Sequence, residues 1–112
     1  VPIKDAYFDV VIEGMQRAVQ KGTARFGQIP GVEFCGKTGT AQNPHGDDHS
    51  IFMAFAPMDN PQIAISVYVE NSGFGATWAV PIASLMIEKY LHRSIDPSRL
   101  EIEKRMIEKS SY

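Results

Sequence analysis

Apolar residues near the start of the chain recur at spacings of three and four: Phe8, Val11, Ile12, Met15 and Val19. That period puts them on one face of a helix, predicted over residues 5–21, with Asp5 as N-cap and Gly22 as its stop. Residues 22–31 contain Gly27 and Pro30 and read as a loop. The pattern then changes. Residues 32–40 carry Val32, Phe34, Cys35, Thr38 and Thr40, a stretch too short and too glycine-rich for a helix, and read as extended. A polar loop, 42–49, leads to the apolar run 50–56, which stops at Pro57, and residues 58–61 have turn composition. Residues 62–70 alternate, with Ile63, Ile65, Val67 and Val69 on one face and Ala64, Ser66, Tyr68 and Glu70 on the other. Three strands joined by short turns imply an antiparallel meander.

A glycine-containing loop, 71–75, precedes a second helix over residues 77–92. Trp78, Ile82, Leu85, Met86 and Tyr90 form its expected buried stripe, and Pro81 is tolerated near the first turn. Asp96-Pro97 reads as an N-cap with proline at the first helical position of a last helix, 97–109. Leu100, Ile102, Met106 and Ile107 give that helix a narrow apolar face, and Glu101–Arg105 and Lys104–Glu108 are i,i+4 pairs on its wet side. The pattern predicts an α+β fold, a three-stranded antiparallel sheet with helices packed on it.

Composition narrows the choices. The chain has 112 residues, 44 % apolar and 21 % charged, which suits a small folded unit or part of a larger one. Net charge is -2 with both signs interspersed, so no basic stripe points to nucleic acid. The single cysteine, Cys35, excludes an internal disulfide and reads as a small buried side chain. No stretch approaches the ~18 apolar residues of a membrane span. The chain starts at Val1 without an initiating Met and is expected to be an excised fragment, so missing targeting signals say nothing of a parent protein.

Two motifs overlap. Residues 31–38 fit the P-loop expression G-x-x-x-x-G-K-[ST], but Gln28-Ile29-Pro30 ahead of them is no strand, and Pro44 interrupts the downstream residues before a helix could form. Lys37-Thr38-Gly39-Thr40 has a second reading as an anion-binding rim: an ammonium, two hydroxyls, and a glycine that lets a ligand approach an extended strand. Backbone amides on a free edge of that strand could pair with an extended peptide. The alternative is a surface strand with an exposed lysine. His45, Asp47, Asp48 and His49 have metal-ligating side chains but no helical frame, and read as a solvated turn. Tyr68 and Trp78 read as packing residues, and Glu70-Asn71 as turn chemistry.

The surrounding blocks resemble the third motif region of class B penicillin-binding proteins, most closely the elongation-type, penicillin-binding protein 2 branch of Bacteroides-like bacteria. They are Gly22-Thr-Ala, Ile29-Pro-Gly31, Cys35-Gly-Lys-Thr-Gly-Thr-Ala-Gln-Asn43, His49-Ser-Ile-Phe-Met-Ala-Phe-Ala-Pro57, Pro61-Gln-Ile-Ala-Ile-Ser-Val-Tyr-Val-Glu-Asn71 and Gly73-Phe-Gly75. The resemblance implies that residues 1–93 are the C-terminal part of a transpeptidase domain, with 94–112 a helical extension. It implies a serine acyltransferase that cross-links peptidoglycan stem peptides and binds β-lactams, at the periplasmic face of the inner membrane, without metal or organic cofactor. Lys37 and Thr40 would be catalytic, and Lys37, Thr38, Gly39 and Thr40 would bind substrate. Thr40 N–H would be one oxyanion-hole donor. The family's S-x-x-K and S-x-N motifs are absent: Ser50, Ser66, Ser72, Ser84, Ser94 and Ser98 start neither. The chain alone is therefore expected to be inactive, to need the remainder of the domain, and to expose an unpaired strand edge through which it could form a homodimer. A non-catalytic peptide- or carboxylate-binding module is the competing expectation.

Overall fold

The computed structural model describes residues 2–73 and 77–110. Helix α1 (Asp5–Gln20) leads through a 3-10 turn (Arg25–Gly27) to strands β1 (Cys35–Ala41), β2 (His49–Ala56) and β3 (Ile63–Val69). Helix α2 (Ala79–His92) comes next, then a 3-10 turn (Pro97–Arg99) that runs into α3 (Leu100–Ser110). The strands lie in chain order, β1-β2-β3, all antiparallel, so the expected α+β meander is present. Phe74 and Gly75 of the predicted loop lie outside the described residues.

Period-2 alternation decides which face of the sheet is buried. Ser50, Phe52, Ala54 and Ala56 of β2 are buried, and their cross-strand partners Val69, Val67, Ile65 and Ile63 are half-buried beside them. Partners share a face, so this side of the sheet is apolar. Phe34, Phe52, Val80, Ala83 and Ile87 join the core over it. Full burial of a side chain like Phe52 is worth about 1.5–3 kcal/mol.

The structure corrects several expectations. β1 begins at Cys35 rather than 32. Residues 29–32 instead form a tight turn, with Val32 N–H donating to Ile29 O at 3.1 Å and Gly31 at φ 79°. The stripe expected to be buried on α2 is not its packed face: Met86 and Tyr90 are exposed, while Ala79, Val80, Ala83, Ser84, Ile87 and Glu88 are buried. Small side chains at 79, 83 and 84 let the α2 backbone approach its neighbours, and a larger stripe would hold it away. α1 lies against β1, yet only Val19 of its predicted face is buried, and Phe8 and Val11 are exposed. Among the described side chains of α3 only Met106 is buried, while Leu100 and Ile107 are exposed. The Lys104–Glu108 pair spans 4.0 Å on its surface.

Polar chemistry fixes the last segment. Asp96 accepts from Ser98 N–H at 2.9 Å and Ser98 Oγ at 2.6 Å, capping the 3-10 turn as its sequence implied. These hydrogen bonds hold the Asp96 carboxyl below its ordinary value. Beneath the turn, buried Arg99 donates to the Glu88 carboxylate and to Ser84 Oγ. Glu88 also accepts from Asp96 N–H at 2.9 Å, and Ser84 Oγ donates onward to Gly27 O at 2.5 Å.

Candidate functional site on the edge strand

β1 pairs with β2 on one side, and no strand among the described residues pairs with it on the other. Alternate amides of an antiparallel edge strand point away from the sheet. The strand is held extended by its register: Lys37 faces Met53, Thr38 faces Phe52, Gly39 faces Ile51 and Thr40 faces Ser50. Its threonines favour that conformation through their branched Cβ. Alternation then sends Lys37 and Gly39 to one face and Thr38 and Thr40 to the other. A guest reaches all four only along the outer edge.

Lys37 and Thr40 are exposed, and Thr38 and Gly39 are half-buried. The Lys37 ammonium donates to Thr38 O at 2.7 Å, so it lies against the strand's own backbone. The two glycines of the strand differ. A Cβ on Gly36 would overlap the buried Phe52 ring, so that glycine serves the core. A Cβ on Gly39 would meet only Ile51 Cβ, at an ordinary 3.6 Å. Apart from Gly39's own chain neighbours, no other atom of the described residues lies within 4 Å of that position. The segment thus offers a cation, two hydroxyls, a clear approach and edge amides to an extended ligand with a carboxylate.

The structure adds one residue that the sequence left without a role. Thr23, just past α1, places Oγ1 3.1 Å from Thr38 Oγ1. Gly22-Thr-Ala is one of the resembling blocks, but only the folded backbone shows that it meets the Lys37–Thr40 strand.

The other candidates have structural employment. Residues 36–38 continue along a strand and do not open a helix, so the P-loop geometry is missing. Asp48 accepts from Asn43 N–H at 3.0 Å, and its carbonyl accepts from Ser72 and Gly73. His49 Nδ1 accepts from Asn71 N–H at 3.1 Å, and its ring lies 5.3 Å from that of Tyr68. Asn71, at φ 53°, also takes the Asn43 amide at 2.5 Å, clasping the β1–β2 loop to the end of β3. Among the described residues no group of three or more His, Cys, Asp or Glu is placed to hold a metal. Cys35 is wholly buried, its thiol donates to Ile12 O at 3.6 Å, and burial, then Glu33 and Asp59, push its pKa up. That is an inert thiol. Half-buried Trp78 joins Phe26, Pro81 and Ile102 in lining a cavity of about 530 Å³ away from the strand. Ser50, Ser72, Ser84 and Ser98 each have hydrogen-bonded hydroxyls, and none has the lysine of an activated serine three residues on.

Comparison with known proteins gives a consistent picture. The penicillin binding protein transpeptidase domain family matches residues 1–88. A peptidoglycan D,D-transpeptidase of Mycobacterium tuberculosis, PbpA, is 40% identical over 83 residues, covering 64% of this chain and 16% of its own length. The crystal structure of Pseudomonas aeruginosa PBP2 superposes with a TM-score of 0.73 at 36% identity, over 88% of this chain and 22% of that one. The ceftriaxone acyl-enzyme complex of penicillin-binding protein A from M. tuberculosis gives 0.65 at 38% identity, over 72% and 20%. The chain thus spans about a fifth or less of the length of these relatives.

Proposed function

Because this chain belongs to the penicillin binding protein transpeptidase domain family, we propose that it supplies the substrate-binding edge of a serine-type peptidoglycan D,D-transpeptidase of the elongation type. The observation that carries this is the Lys37–Thr40 segment, held extended on an edge strand with its outer side free of other described strands. The likeness to a relative caught as a ceftriaxone acyl-enzyme supports it.

In this reading a stem peptide ending in D-Ala–D-Ala lies along the outer edge of β1. Lys37 draws its terminal carboxylate, and the Thr38 and Thr40 hydroxyls donate to it. Gly39 leaves room for the guest's backbone. Thr40 N–H points at the scissile carbonyl oxygen and stabilises the charge that develops there when a serine attacks. That serine comes from S-x-x-K, outside this chain, and brings the second oxyanion donor with it. β-Lactams would occupy the same edge as mimics of the peptide. Residues 1–93 act within the transpeptidase domain, residues 94–112 form a helical extension of it, and no cofactor takes part. The working enzyme faces the periplasm from the inner membrane. No helix among the described residues is long and apolar enough to cross a membrane.

Lacking a nucleophile, the isolated chain is expected to take no covalent label from a fluorescent penicillin, while the full-length protein that contains it is labelled at a serine outside residues 1–112. A labelled band from the pure chain on a denaturing gel, or an unlabelled full-length protein, would sink the reading. The non-catalytic alternative predicts affinity for D-Ala–D-Ala peptides by titration with no acylation in either form.

The outer edge of β3 also has no strand partner among the described residues, and Tyr68 on that strand is 53% exposed. Such an edge pairs with another chain when it can. The isolated chain is expected to dimerise through β3, with a light-scattering mass that rises with concentration. A constant monomer mass across that range would exclude it.

A further inference from the structure

We propose that Thr23 is a positioning residue for this site, setting the direction in which the Thr38 hydroxyl donates; the inference rests on the substrate-binding role just proposed for Lys37–Thr40. The two hydroxyl oxygens lie 3.1 Å apart, within hydrogen-bonding distance. Each hydroxyl has a single proton and two lone pairs. If Thr38 gave its proton to Thr23, it would present only lone pairs to a substrate carboxylate, which is itself an acceptor. A carboxylate therefore selects the opposite order: Thr23 donates to Thr38, and Thr38 donates to the carboxylate. Chains of this kind strengthen each bond by polarising the next.

Thr23 can do this because both of its neighbours are immobilised. A Cβ on Gly22 would lie 2.9 Å from Ala18 Cα, so the chain leaves α1 in close contact with the helix backbone. Gly22 N–H donates to Arg17 O at 3.1 Å, and Ala24 N–H to Ala18 O at 2.9 Å. Ala24 is wholly buried. Three residues on, Gly27 N–H donates to Ala24 O at 3.0 Å, and Gly27 O takes the Ser84 hydroxyl at 2.5 Å. Thr23 itself is exposed, with its hydroxyl turned to the site strand. Its place on the surface and the fixed loop beneath it separate its role from that of a packing residue.

The test uses the full-length protein and the second-order rate constant for acylation by a fluorescent penicillin. Thr38→Val is measured first, and a fall supports the strand's role in binding the substrate. Thr23→Val is then expected to slow acylation about two- to tenfold, the worth of one neutral hydrogen bond. Thr23→Ser keeps the hydroxyl and is expected to match the parent, with melting temperature unchanged in both. The double variant Thr23→Val/Thr38→Val is expected to be no slower than Thr38→Val, because the two hydroxyls act as a unit. Should Thr23→Val fail to fold, Thr23→Ala takes its place in the same cycle. A Thr38→Val variant with parental acylation overturns the proposed function and this inference with it. Loss at Thr38 with none at Thr23, additive losses, or no rescue by serine overturns the inference alone.

Discussion

Glu88→Ala is expected to lower the unfolding free energy by about 3–5 kcal/mol, the usual cost of leaving one member of a buried ion pair uncompensated. Glu88 is fully buried, and Arg99 is 4% exposed. The carboxylate serves two donors, the Arg99 guanidinium and Asp96 N–H. Without it the buried Arg99 guanidinium is left without a counter-charge, and Asp96 N–H loses its acceptor. Arg99 Nε already has no partner, so the pair is not ideal even when intact. Replacing both members, Glu88→Met with Arg99→Met, removes the stranded charge and is expected to recover most of the loss. Urea unfolding followed by circular dichroism reads both variants. A loss under about 1 kcal/mol for Glu88→Ala would mean that the C-terminal turn is not docked as described.

Gly36→Ala and Gly39→Ala should separate by their opposite consequences. At Gly36 the new methyl overlaps the wholly buried Phe52 ring and comes within 3.2 Å of Met53 O. Overpacking of this kind costs roughly 1–3 kcal/mol. At Gly39 the methyl finds ordinary contact with Ile51, so folding stability should stay level or rise by about 0.4–1 kcal/mol through a stiffer unfolded chain. In the full-length protein the same Gly39 methyl occupies the space assigned to the guest, and acylation by penicillin should fall. Thermal melts of the two variants together with the acylation rate decide the matter. Equal destabilisation at both glycines would show that Gly39 is a packing residue.

How much could be read in advance depends on the range of the interactions. β3 was legible because Ile63, Ile65, Val67 and Val69 alternate, and β2 because residues 50–56 are a short apolar run that ends at Pro57; both are local properties. The Lys37–Thr40 strand was legible because its glycines and Pro44 exclude a helix. The packed face of α2 was not. Its sequence carries two stripes, and the larger residues Met86 and Tyr90 drew the wrong choice, while Ala83, Ser84 and Glu88 carry the contacts. A buried glutamate contradicts hydropathy until its partner Arg99 is known, and that partner arrives through a chain reversal after His92. On α1, periodicity found the apolar face, but no sequence rule says whether the same chain covers it, and Phe8 and Val11 stay exposed. The role of Thr23 is not written in the sequence for a similar reason. Fifteen residues separate it from Thr38, and only the return of the chain along β1 brings the hydroxyls together.

The chain-order sheet has a temporal consequence. The ladder that straightens Lys37–Thr40 is contained within residues 35–56, with only the 42–48 loop to close. Hairpins of that kind assemble in about 1–10 μs. The Ser84–Gly27 link instead joins positions 57 residues apart, and closure entropy grows with the logarithm of that separation. The hairpin that straightens the edge strand therefore closes over a shorter stretch of chain, at lower entropic cost, than the link that ties α2 to the turn after α1.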